Sequence, residues 1–124
     1  MATRSEAAEC VARALRGGGH GDALGGVEGR GWVRVAEMGD GRDVRLERVR
    51  VNVAGRYQGE ARRRAQGVAR DLFAMHFMGL ATGYEVCVVA VEEAAPVNVG
   101  LDGHGRYVYA VDLLCTEVRA HGGR

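Results

Sequence analysis

The sequence predicts an α+β fold: a single domain in which helices pack on a mainly antiparallel four-stranded sheet, in the order α-β-β-α-β-β. Three observations carry this. Two segments repeat their apolar residues at helical spacing, an alternating pair of runs flanks the turn Gly39-Asp40-Gly41, and two further apolar runs cover residues 86–91 and 106–118. A length of 124 residues fits one domain, and 47% hydrophobic with 27% charged residues places the chain among globular proteins.

Thr3 and Glu6 have capping-box spacing, and Ala7, Val11, Ala14 and Leu15 then recur on one face, so the first helix is expected over about residues 4–16. Residues 17–31 hold eight glycines and read as a mobile loop or interface arm. Alternation begins at Trp32-Val33-Arg34-Val35, turns at Gly39-Asp40-Gly41 and continues in a second run. In that second run the apolar phase shifts from Val44 and Leu46 to Val49, Val51 and Val53, which predicts a β-bulge near Glu47-Arg48.

From Gln58 to about Phe77, the residues Ala61, Ala65, Val68, Leu72, Met75 and His76 share a face opposite Arg63, Gln66, Gly67 and Arg70, the pattern of an amphipathic helix laid on a sheet. Gly79 and Gly83 are expected to end it and bracket a turn. The continuous run Val86 to Val91 suits a covered strand that stops near Glu93, because Pro96 bars its extension. Arg106 to Val118 is the last long strand, with Tyr107, Tyr109, Val111, Leu113 and Cys115 on one face.

All 17 basic residues are arginine and isoleucine is absent, a bias that fits a GC-rich bacterial or phage gene. Net charge is +1, so no global field draws the chain to nucleic acid or to an anionic membrane. Cys10, Cys87 and Cys115 show no CxxC spacing and read as buried thiols of a reducing compartment. No apolar run reaches membrane-spanning length, and the first ten residues contain no apolar leader core, so the expected place of synthesis is a cytoplasm.

No constellation of catalytic type emerges, and no enzyme activity, cofactor or metal is expected. The glycine-rich segment lacks the GxxxxGK[ST] spacing that cradles phosphate. Asp102 and His104 are neighbours in a glycine-rich turn with no third group to orient the imidazole. The four histidines are too scattered for a zinc pattern. Cationic concentrations occur at Arg62-Arg63-Arg64 with Arg70, and at Arg45, Arg48 and Arg50. They suit a solvated helix face, a protein contact or a DNA-facing surface, and no aromatic pattern for stacking bases accompanies them.

The segments Arg48-Val-Arg-Val-Asn-Val-Ala-Gly55, Val86-Cys-Val-Val-Ala-Val91, Ala95-Pro-Val-Asn-Val-Gly-Leu-Asp102 and Gly105-Arg-Tyr-Val-Tyr-Ala-Val-Asp112 resemble the tail terminator (minor tail or tail-completion) proteins of long-tailed bacteriophages. The resembling stretch covers about residues 44–118, and its most telling part is the cluster Pro96, Gly100, Asp102, Gly105, Arg106 and Tyr107. The resemblance implies a virion protein at the tail–head junction. Its subunits would form a homohexameric ring that caps the tail tube and meets the head-completion protein, with passive contact with DNA in the ring lumen and no membrane involved. The alternatives are another phage neck component, such as a head–tail connector or stopper, and a small nucleic-acid-binding domain using its Arg face. Interface candidates are Asp40 and Arg42 at the hairpin tip, Arg62 and Arg63 on the helix, and Asp102 and Arg106 in the turn.

Overall fold

The computed structural model describes residues 6–20, 24–37, 43–75, 77–81, 84–91 and 96–119. Helices α1 (Glu6–Gly17) and α2 (Gln58–Met75) accompany strands β1 (Leu24–Glu37), β2 (Asp43–Gly55), β3 (Phe77–Ala81), β4 (Tyr84–Val91), β5 (Val97–Leu101) and β6 (Tyr107–Arg119). The fold is α+β, and every strand pairing is antiparallel. The four strands read from periodicity correspond to β1, β2, β4 and β6, and the five-residue strands β3 and β5 join them in one sheet.

Strand order is β1-β2-β6-β4-β3, with β5 also paired to β6. Strand β6 is the hub. One of its edges runs unbroken against β2 from Tyr107↔Gly55 to Val118↔Val44. Along the other, β5 pairs with residues 107–110 and β4 with residues 113–119. Helix α2 lies on β6 and β2, whereas α1 touches both terminal strands of the path, β1 and β3, so the sheet curls around α1.

Both helices cover the same sheet face. Val49, Val51 and Val53 from β2, and Tyr109, Val111, Leu113 and Cys115 from β6, meet Ala7, Val11 and Leu15 of α1 and Ala61, Ala65, Val68 and Leu72 of α2 in one cluster. The predicted apolar face of α2 is therefore the buried one, with Met75 and His76 side chains outside the described residues. Alanine on α2 lets the helix sit close. At Gly55 a β-carbon would lie 2.7 Å from the Ala61 nitrogen and 2.9 Å from its Cα, so the end of β2 needs glycine to let the backbone of α2 approach. Cys10 and Cys115 are buried thiols, as the sequence suggested, and the side chain of Cys87 lies outside the described residues.

Three expectations are corrected. The glycine-rich segment does not remain a loop through residue 31, because β1 begins at Leu24 and pairs with β2 from Leu24↔Val53 onward. Its glycines serve register shifts. Gly26 (φ 142°) and Gly31 (φ 103°) lie at two of the three irregularities of β1, where side chains rarely adopt the backbone required.

The bulge near Glu47-Arg48 is real as a register shift, but the extra residue belongs to β1: Gly29↔Val49 is followed by Trp32↔Glu47. Strand β2 keeps its phase against β6 throughout. Arg45 and Glu47 thus share the inner face with Val49, and that face becomes polar at one end. Glu117 lies opposite Arg45 and is fully buried, with Oε2 2.8 Å from Arg45 Nη2. Its Oε1 accepts the Ala7 N–H at 3.2 Å, in the first turn of α1, where an anion is favoured by the helix dipole.

Last, Gly79 does not mark a turn. It lies in β3, which forms a hairpin with β4 at a register shift between Phe77 and Gly79.

Candidate functional site

The β5–β6 connection is built around one carboxylate. Asp102 Oδ1 accepts the His104 N–H at 2.8 Å and the Arg106 N–H at 3.0 Å, and Oδ2 accepts Arg106 Nε at 2.9 Å. Arg106 Nη2 also lies 2.9 Å from Oδ2. Backbone bonds from Asp102 N–H to Arg106 O and from Gly105 N–H to Asp102 O close the turn, and Gly105 takes φ 76°. The donors to Asp102, led by the Arg106 N–H, hold its carboxyl below the usual carboxylate range. It is the backbone of His104 that meets Asp102, so the hydrogen bond gives no acid–base pairing with the imidazole.

Arg106 also lines a cleft of about 590 Å³ where this turn faces the start of α2. Arg56, from the bend after β2, and Arg64, one turn into α2, line the same cleft beside Tyr57 and His104. Arg64 is fixed by Glu60 at 3.1 Å and donates to the Ala54 carbonyl at 3.4 Å. Because successive helical residues turn by about 100°, the triplet at 62–64 is divided. Arg64 enters the cleft, while Arg62 and Arg63 are exposed and do not line it.

Strand alternation divides the hairpin arginines in the same way. Arg45 points inward to Glu117, whereas Arg48 and Arg50 lie on the face without helices. There Arg50 makes a two-pronged pair with Asp112, Nε to Oδ1 at 2.7 Å and Nη2 to Oδ2 at 3.0 Å. Arg30 and Arg48 join them around a smaller cavity of about 230 Å³. The hydrogen bonds from Arg50 hold the Asp112 carboxyl below its ordinary value despite partial burial.

Strand β5 adds an apolar element. Val97, Val99 and Leu101 are exposed, Leu101 to 63%, and among the described residues β5 pairs only with β6. Asp40 and Arg42 lie outside the described residues, so the hairpin-tip candidates are not placed.

No family model matches this chain, and no curated protein matches it significantly. Among the described residues no group of three or more His, Cys, Asp and Glu is gathered to hold a metal ion, and no helix is long and apolar enough to cross a membrane.

Sequence reasoning found the Asp102–Arg106 turn because its parts lie four residues apart. It missed the convergence of Arg56 and Arg64 with Arg106, which only the folded chain creates. It also missed β5, although Val97-Asn-Val-Gly-Leu101 before a glycine-rich turn and the alternating run from Tyr107 form a hairpin pattern.

Proposed function

We propose that this chain is a structural subunit, a tail terminator of a long-tailed phage, which assembles into a homohexameric ring, caps the tail tube and joins it to the head-completion protein. The observation that carries the reading is β5: among the described residues it is an edge strand, and it has three exposed large apolar side chains. A free strand edge offers backbone donors and acceptors that another strand can pair, and exposed valine and leucine lose contact with water when it does. For one small domain the usual outcome of repeated self-contact is closed rotational symmetry. The hydrogen-bonded Asp102–Arg106 turn continues from this strand and supplies polar groups at its rim. The resemblance of residues 44–118 supplies the identity of the assembly.

The test is solution mass with and without purified tail-tube protein, for the native chain and for Val99→Asp. A ring that forms with the native chain and is lost in the variant, whose fold is intact by circular dichroism, supports the reading. A native chain that stays monomeric even with tail-tube protein present removes it.

A further inference from the structure

We infer that the cleft between the start of α2 and the β5–β6 turn is a phosphate-binding site. Three separate pieces of chain deliver a guanidinium to it: Arg56 from the bend after β2, Arg64 from α2 and Arg106 from the hairpin turn. Against these the lining contains one carboxylate, Glu60. Asp102, paired to Arg106 just outside the lining, brings the carboxylates to two, so the three guanidiniums keep an excess of one positive charge facing the cleft, the sign that a phosphate anion needs.

Two of the three cations are held in place before any ligand arrives. Arg64 is oriented by Glu60 and by the Ala54 carbonyl, and Arg106 by Asp102, contacts that occupy only some of the donors of each planar group. Among the described residues no carboxylate pairs with Arg56. Its charge is available to the cleft.

The backbone adds donors. Ala61 N–H bonds to Tyr57 O, so Tyr57 occupies the N-cap position of α2, and its side chain has no acceptor placed for the first turn in the way that Ser, Asp or Asn has. The amides of residues 58–60 receive no cap from a described residue. An anion bound among the arginines would meet them. Tyr57, 66% exposed at the cleft, presents an aromatic surface beside the charge.

A phosphate group arrives either on a free anion or nucleotide or as part of a DNA backbone, and the same chemistry serves both. The inference does not rest on the ring reading, and it is tested on the unassembled chain. Amide and arginine Nε–Hε resonances would be followed by NMR while inorganic phosphate, dAMP and a short DNA duplex are titrated separately. Shifts at residues 56–60, 64 and 106 are expected. Arg56→Gln should weaken binding about tenfold, the loss of one charge-assisted hydrogen bond, and Arg13→Gln, on the exposed face of α1, should leave it unchanged.

Binding of phosphate or dAMP with no preference for the duplex assigns the site to free phosphates. Tighter binding of the duplex, with a log–log salt slope of about −1 to −2, assigns it to DNA. Absence of shifts at these residues with all three probes overturns the inference. So does binding that is equal in the native chain and in both Arg56→Gln and Arg106→Gln.

Discussion

Removing the Glu117 carboxylate tests how the polar end of the core is stabilised. Its oxygens serve two elements: Arg45 of β2 at 2.8 Å and the Ala7 N–H of α1 at 3.2 Å. The Arg45 side chain is only 11% exposed and that of Glu117 not at all, so water cannot replace a lost partner without entering the core. Glu117→Ala leaves a buried guanidinium without this counter-ion and a helix amide without its acceptor, at a cost of roughly 3–5 kcal/mol. A domain of this size has about 5–15 kcal/mol in total, and the melting temperature should fall by roughly 10–20 °C. Glu117→Gln keeps the shape and an acceptor for Ala7 and removes only the charge, so it should fall between alanine and the native chain. Urea unfolding at neutral pH, with the slope checked for constancy, measures both. If Glu117→Ala lay within about 0.5 kcal/mol of native, the contact would be an ornament of the surface and the polar core reading would be wrong.

Leu72→Ala, at a fully buried position of α2, should cost roughly 2–5 kcal/mol, while exposed Arg63→Ala should stay within about 0.5 kcal/mol, and equal thermal shifts would show that the helix phase is misread. Gly55→Ala places a methyl against the Ala61 backbone and should destabilise by roughly 1–3 kcal/mol; a neutral result would mean that α2 moves away freely. Because the Asp112 carboxyl is held below its unfolded value by Arg50, its stabilising contribution should be fully present above about pH 4 and fade as the pH falls through the depressed value. The difference in urea midpoint between native and Asp112→Asn should therefore close on acidification, and a difference that stays constant down to pH near 2 contradicts the pairing. Arg106→Ala and Asp102→Ala should remain folded with modest melting shifts yet fail to restore normal tail length in a terminator-deficient phage; normal particles from both would remove the turn from the assembly role.

Much of the fold was legible because burial on one face imposes a period, and α2 shows it without interruption at Ala61, Ala65, Val68 and Leu72. The reading failed where that premise fails. Arg45 and Glu47 occupy inward positions of β2, so their polarity mimicked a slipped phase; the partner that makes Arg45 tolerable there, Glu117, lies about seventy residues away in β6. Glycines at residues 25–31 suggested a loop because conformational freedom is the usual reason for them, yet here positive-φ positions let β1 absorb extra residues while keeping its ladder. The candidate surfaces divided along the same line. Asp102 and Arg106 are joined by a local turn and could be read from spacing, whereas the cleft needs residues 56, 64 and 106 to be brought together by β2 and β6.

The position of β6 has a consequence for how the molecule is made. Among the described strands the β1–β2 and β3–β4 hairpins each close locally, but neither touches the other in the ladder; the strand that stitches them together, β6, follows all the others in chain order. Until residues 107–119 emerge, β2 and β4 each present an open edge, and the valine face of β2 lacks the strand beside which it is buried. Loop closure over such separations is slow, and exposed edges in the interval invite pairing with other chains. A nascent chain of this protein is therefore most open to mispairing in the interval before β6 emerges, when the edges of β2 and β4 most need cover by a chaperone.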